Sequence, residues 1–380
     1  MNVAQASQWR WPIGFPVDDS MELPLFCDCK RLQSTVRTVC TPRTGFRQRK
    51  ESLVHYARFD GQQQISIAQR TRPTPATGEV LVRVTACCLC GSELRVWRNG
   101  WPVIPGHEIA GVVEQPGHAL HGQRVVAYIP VWCGTCDACV NGDTHLCERA
   151  TELVGWQRDG GYAEFVVIPT QCALLVPDDI DDVLAPLLLD TIGTPAHGIR
   201  LARKLVQQGP VAIIGAGPIG LGAVLAAPPL GFPDRYITDP KAHRLHAALA
   251  FGARDLDATT APRRFPLVLE TAGVNAARQR ALELTAPGGV CVFLGESDRW
   301  EIDEVKAIRR KDFFIARSFY FPLHEYAANI ELLRADRDNY RQLVDARVSL
   351  AGLHDLFAAF AAGDRLKPQC TPSVDVAATP

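Results

Sequence analysis

A chain of 380 residues, 47% of them hydrophobic and 21% charged, is long enough for two domains around a large buried core. A formal net charge of −1 excludes the basic excess of a nucleic-acid binder, and no apolar run approaches the roughly 18–20 residues that span a bilayer. The 30 glycines and 27 prolines are too dispersed for a fibrous or low-complexity chain.

Residues 1–51 read as a leader without a stable fold. Residues 29–50 hold seven Lys/Arg and no acid, which suits a transit peptide. Against that, Pro12, Pro16 and Pro24, with Asp18, Asp19, Glu22 and Asp28, spoil an amphipathic helix. Cys27, Cys29 and Cys40 have no second pair at metal spacing and are assigned no function. No secretory signal is visible, and clustered cysteines in a chain of this size point to metal or catalysis in a reducing compartment, so the protein reads as cytoplasmic.

Order is expected from Leu53. Period-two patterns predict strands at Ile65–Ala68, Gly78–Ala86, Ile109–Glu114, Gln123–Tyr128 and Tyr162–Val167. Cys90-Gly-Ser92-Glu93 follows the second of these, and Gly106-His107-Glu108 lies 17 residues after Cys90. A thiolate, an imidazole and a carboxylate suit a catalytic zinc that keeps one position open. Gly-His-Glu is weak alone, and its weight comes from its neighbours. Cys133, Cys136, Cys139 and Cys147 then place four thiols within fifteen residues. Four protein ligands fill a tetrahedral zinc and leave no place for substrate, so this site reads as structural. The acids Asp178, Asp179, Asp181 and Asp182, before Val183, read as a helix N-terminus.

From about Pro186 the rhythm changes to alternating strands and helices, the pattern of a parallel sheet. An apolar strand runs into Gly215-Ala-Gly217-Pro218-Ile219-Gly220, a G-x-G-x-x-G turn opening a helix. Gly215 makes the turn, Gly217 lets a pyrophosphate approach the backbone, and Gly220 permits close packing. Pro228 and Pro229 predict a short or kinked helix after it. Asp239 ends the next strand 19 residues after Gly220, where an acid holds the ribose 2′-hydroxyl of NAD. Lys241, His243 and Arg244 follow and would suit a phosphate; Arg244 reads equally as a lid over adenine or an exposed helix charge. The acid favours NAD over NADP. Cys172, Cys291 and Cys370 read as core packing.

Cys-Gly-Ser, Pro-Gly-His-Glu, the four-cysteine loop and the glycine turn, in this order over about residues 53–370, resemble the zinc-dependent medium-chain alcohol dehydrogenases, and the polyol and threonine dehydrogenase branch in particular. The resemblance implies an α/β protein: a β-rich GroES-like catalytic domain (52–185 and 320–380) and a Rossmann doubly wound parallel-sheet domain (186–319). It implies two zinc ions per chain, with Cys90 and His107 holding the catalytic one and either Glu108 or Asp190 as the carboxylate. Ser92 matches the proton-relay hydroxyl, and Thr194 lies where relatives touch the nicotinamide. Relatives often carry His five residues after the Cys; here Arg95 stands there, a poor base, so that either the proton would exit through the cofactor ribose and water or Arg95 would hold the cofactor phosphate. The resemblance further implies a homodimer or homotetramer. The function it implies is hydride transfer between NAD and a small-molecule secondary alcohol, polyol or cyclitol, or the matching ketone. The alternatives are an NADP-dependent primary alcohol or aldehyde reductase, and a zinc-stabilised nucleotide-binding protein without catalysis.

Overall fold

The computed structural model describes residues 52–150, 152–258, 260–297, 299–301 and 308–372, so the leader and its three cysteines lie outside the described residues. β1 (Leu53–Gly61) and β2 (Gln64–Thr71) form an antiparallel pair. Then come β3 (Glu79–Cys88), α1 (Leu94–Asn99), β4 (Glu108–Val113), β5 (Arg124–Ala127), α2 (Asp137–Val140), β6 (Phe165–Pro169) and β7 (Ala173–Leu175). β3, β4, β5 and β7 lie side by side, antiparallel, and β6 pairs with β3. In β3 the even positions Val80, Val82, Val84 and Ala86 are all buried, while on the other face Arg83 is exposed and Leu81 and Cys87 are covered.

The chain then crosses into a second lobe. α3 (Asp190–Ala202) leads to β8 (Val211–Ile214), α4 (Pro218–Ala226), β9 (Arg235–Thr238), α5 (Ala242–Ala250), β10 (Arg254–Asp255), β11 (Phe265–Glu270), α6 (Asn275–Leu284), β12 (Thr285–Phe293) and β13 (Phe314–Arg317). The six strands are all parallel in the order β10-β9-β8-β11-β12-β13. Strand order reverses between β8 and β11, which leaves a crevice at their carboxyl ends. Helices α7 (Tyr326–Ala335) and α8 (Arg337–Leu343), β14 (Arg347–Val348), α9 (Leu353–Ala361) and β15 (Gln369–Cys370) bring the chain back, and β15 pairs with β3. No helix among the described residues is long and apolar enough to cross a membrane.

α4 stops at Ala226, just before Pro228 and Pro229, as a proline without an N–H demands. Cys172, Cys291 and Cys370 are fully buried. The acidic run differs from expectation. It forms turns before a 3₁₀ segment at Ala185–Leu188, not the start of an α-helix. The carboxylates are taken by other partners: Asp179 by Arg334 and Arg337, Asp181 by Arg341 and by the Val183 and Leu184 N–H groups.

The junction of α3 and α4 positions the crevice. Pro195 inside α3 lacks the N–H that would bond the Thr191 carbonyl four residues earlier. Gly222 of α4 packs against that same carbonyl, so closely that a Cβ there would lie 1.8 Å from the oxygen. Gly222→Ala therefore forces backbone apart, at about 1–3 kcal/mol. A lowered denaturation midpoint is the expected outcome; a midpoint equal to that of the native protein would refute the close approach.

Candidate active site

Three separate elements deliver the site. Cys90 follows β3, His107 and Glu108 stand at the start of β4, and Asp190 opens α3. His107 Nε2 lies 3.1 Å from Asp190 Oδ2, and Cys90 Sγ lies 3.8 Å from the same oxygen. One donor atom from each of Cys90, His107, Glu108 and Asp190 falls within 4.8 Å of every other. A tetrahedral zinc, with S at about 2.3 Å and N or O at about 2.0–2.2 Å, calls for donor separations of roughly 3.3–3.6 Å. The donor types suit that ion, and the 3.1 and 3.8 Å separations bracket its range.

The surroundings orient these donors. His107 Nδ1 lies 2.8 Å from Glu93 Oε1, which turns Nε2 toward Asp190. The other Glu93 oxygen accepts from the Tyr162 hydroxyl at 2.6 Å and from the Cys90 N–H at 3.2 Å. Burial alone would push the His107 imidazole down, but the Glu93 carboxylate and the Cys90 thiol hold it well above its ordinary value. Burial raises the Cys90 thiol. Burial also works to raise Asp190, but the hydrogen bond from His107 wins and holds it below the usual carboxylate range. Trp156 packs on the imidazole with ring centroids 5.4 Å apart, and the Trp101 indole meets Trp156 edge-on.

Glu108 has a second partner. The Lys367 ammonium bonds its Oε1, and both side chains are wholly buried. Burial pushes the Glu108 carboxyl up, and Lys367 is the charge that opposes it. Lys367 also donates to the Leu89 carbonyl at 3.1 Å. Sequence reasoning missed Lys367, Glu93 and Tyr162. Glu93 was within reach, three residues after Cys90 in the same turn. Lys367, 259 residues from Glu108, carries no local signal.

The other residues of interest fall in two places. Ser92 Oγ donates to Cys90 Sγ at 3.2 Å, and Thr194 Oγ1 donates to Asp190 Oδ1 at 2.7 Å, so both belong to the donor cluster. Beyond β8, Gly215 takes φ +103°, and a Cβ on Gly220 would lie 1.8 Å from the Gly215 carbonyl oxygen. No atom stands within 4 Å of a Cβ built on Gly217, which leaves that approach open. Pro218 and Ile219 form the first turn of α4. Asp239 accepts from the Ala216 N–H at 2.7 Å and the Lys241 N–H at 2.8 Å, tying the end of β9 to the turn. Arg244 donates to the Arg365 carbonyl at 3.2 Å, so it braces the returning chain.

The four remaining thiols, Cys133, Cys136, Cys139 and Cys147, also gather within 4.8 Å. Cys133 and Cys139 sulfurs are 4.0 Å apart, and Cys136 and Cys147 sulfurs 3.8 Å apart. Zinc–sulfur bonds of about 2.3 Å at tetrahedral angles require about 3.8 Å. The Thr135 N–H, with that of Cys136, pulls the Cys133 thiol down to about 5, toward the thiolate that a metal takes.

The alcohol dehydrogenase GroES-like domain model matches residues 76–178. An L-threonine 3-dehydrogenase of Paraburkholderia phymatum is 33% identical over 258 residues, which cover 61% of this chain and 73% of the relative. The chain belongs to the zinc-dependent medium-chain alcohol dehydrogenases. It is an NAD(P)-dependent alcohol dehydrogenase. Two solved members of similar fold are a Sinorhizobium meliloti protein named as a zinc-binding dehydrogenase and bound to NADP, and galactitol-1-phosphate dehydrogenase from Escherichia coli. The first is 26% identical with a TM-score of 0.74, covering 84% of this chain and 100% of its own. The second is 25% identical with a TM-score of 0.75, with the same coverage.

In this dehydrogenase, Lys367→Met leaves Glu108 buried without its counter-charge and is expected to cost about 3–5 kcal/mol. The pair replaced together, Glu108→Leu with Lys367→Met, is expected to recover most of that loss. Chemical denaturation of the three proteins checks this; equal losses in the single and double variants would contradict it.

Proposed function

We propose that this enzyme oxidises a secondary alcohol, polyol or cyclitol, or reduces the matching ketone, with NAD preferred over NADP. The observation that carries the reading is the open donor cluster at the first residue of α3, a helix packed on the very helix that the glycine turn opens. The relatives named for L-threonine 3-dehydrogenation and for galactitol 1-phosphate support an alcohol of this class.

Cys90 and His107 would hold the catalytic zinc with one carboxylate. Asp190 lies 3.8 Å from the Cys90 sulfur and 3.1 Å from His107 Nε2, and Glu108 is restrained by Lys367. Bound there, zinc supplies a Lewis acid that lowers the pKa of a substrate hydroxyl and stabilises negative charge on its oxygen. Glu93 keeps Nε2 of His107 aimed at the cluster, and Tyr162 keeps Glu93 in place. The Ser92 hydroxyl donates to the thiol of Cys90 and would hold a proton at the edge of the cluster. Thr194 fixes the second oxygen of Asp190 and would stand beside the nicotinamide of a bound cofactor. Trp156 excludes water from one face of His107. Gly215, Gly217, Pro218, Ile219 and Gly220 would receive the pyrophosphate at the start of α4, where free N–H groups favour an anion. Asp239 lies at the end of β9, where it favours a ribose hydroxyl and opposes a 2′-phosphate. Cys133, Cys136, Cys139 and Cys147 would hold a second, structural zinc.

A substrate panel of secondary alcohols, polyols and cyclitols, run with each cofactor and read by nicotinamide absorbance, tests the proposal. Turnover with NAD above that with NADP is expected; activity confined to primary alcohols with NADP would favour the alternative. Metal analysis is expected to return two zinc ions per chain. Cys90→Ser should abolish turnover and leave the fold intact, and retained turnover would remove the catalytic assignment. Cys136→Ser should instead lower stability and yield; if it spared both, the four-thiol site would not be structural.

A further inference from the structure

Arg95 is the charged group beside the donor cluster that the reading above leaves without a role. It sits on α1, five residues after Cys90. Its guanidinium lies over the Trp156 ring, 4.6 Å from the centroid, and the same indole packs against His107. Its Nη1 lies 3.2 Å from Glu296 Oε1, on the loop that follows β12 in the nucleotide-binding sheet. The buried Arg95 Nε has no hydrogen-bond partner among the described residues. Arg95 and Glu296 side chains remain 42% and 45% exposed, so the pair is open to solvent. An exposed pair of this kind contributes little to stability. Holding the two lobes together is therefore a poor account of it.

We propose that Arg95 is a specificity-determining residue, whose guanidinium takes a carboxylate or phosphate carried by the substrate a few bonds from its carbinol, with Glu296 as the counter-ion that this anion displaces. The inference rests on the function proposed above. The indole holds the guanidinium flat and limits its rotamers, so its fork is preorganised for two parallel hydrogen bonds to a planar or tetrahedral oxyanion. Glu296 offers the same chemistry as the expected ligand, and its position marks where that ligand's oxygens lie. An arginine here is charged throughout the physiological range.

The two charges make opposite predictions. Removing the guanidinium removes the site, whereas removing the Glu296 charge removes its competitor. Full-length native enzyme, Arg95→Gln and Glu296→Gln are compared with 2,3-butanediol as the neutral substrate, 3-hydroxybutyrate as the carboxylate and glycerol 3-phosphate as the phosphate. Arg95→Gln is expected to lower kcat/KM for an anionic substrate roughly tenfold or more beyond its effect on butanediol, through KM. Glu296→Gln is expected to lower KM for that same substrate. The arm that responds identifies carboxylate or phosphate as the ligand. A calorimetric titration with acetate and with inorganic phosphate, in the absence of cofactor, supplies a readout independent of turnover: binding in the native protein, tighter in Glu296→Gln, absent in Arg95→Gln. Shifts of both variants in the same direction would make the pair a simple clasp and overturn the proposal. So would an Arg95→Gln effect confined to KM for NAD and equal for all three substrates. If no substrate is turned over, the proposed function fails, and the titration alone decides the anion site: no binding, or binding equal in native enzyme and Arg95→Gln, overturns it.

Discussion

Two acids, Glu93 and Glu108, stand at zero exposure on either side of His107, and the compensation of those charges governs the site. A buried carboxylate is tolerated only when a charge or several donors answer it. Glu93 is answered by the imidazole, a phenol and a backbone N–H. Glu108 is answered by one ammonium from the far end of the chain. Each answer also aims a group: Nε2 of His107 toward Asp190, and Glu108 toward Lys367.

The fold supplies what such a cluster needs, which is convergence of rigid elements. Cys90, His107 and Glu108 flank β3 and β4 of one sheet, while Asp190 belongs to the helix that leads into the other. Seated by Gly222 against the Thr191 carbonyl, that helix couples the donor cluster to the nucleotide turn within a single packing contact. β15 returns to the edge of β3 and carries the chain past Lys367, so the buried pair and the sheet edge are formed together. The donor cluster and the glycine turn thus lie along a seam that neither lobe builds alone.

Much of this was legible in the order of residues. The parallel strands appear as short apolar runs between helices, and the glycine turn as three glycines at fixed offsets. The four-thiol loop declares itself because all its donors lie within fifteen residues, where chain length alone forces proximity. The acidic run at Asp178–Asp182 misled for a related reason. Local spacing suggested a helix start, but arginines from α7 and α8 claimed the carboxylates.

By itself, then, the linear chain determined which donor types are present and which short segments carry them, since those features depend on neighbours a few bonds away. Only the packed molecule decided that Lys367 answers Glu108, that Tyr162 secures Glu93, and that Arg95 faces Glu296 over Trp156. These pairings join residues far apart in the chain. They exist because burial leaves a charge no water to turn to, and no periodicity or motif encodes which distant side chain will take its place.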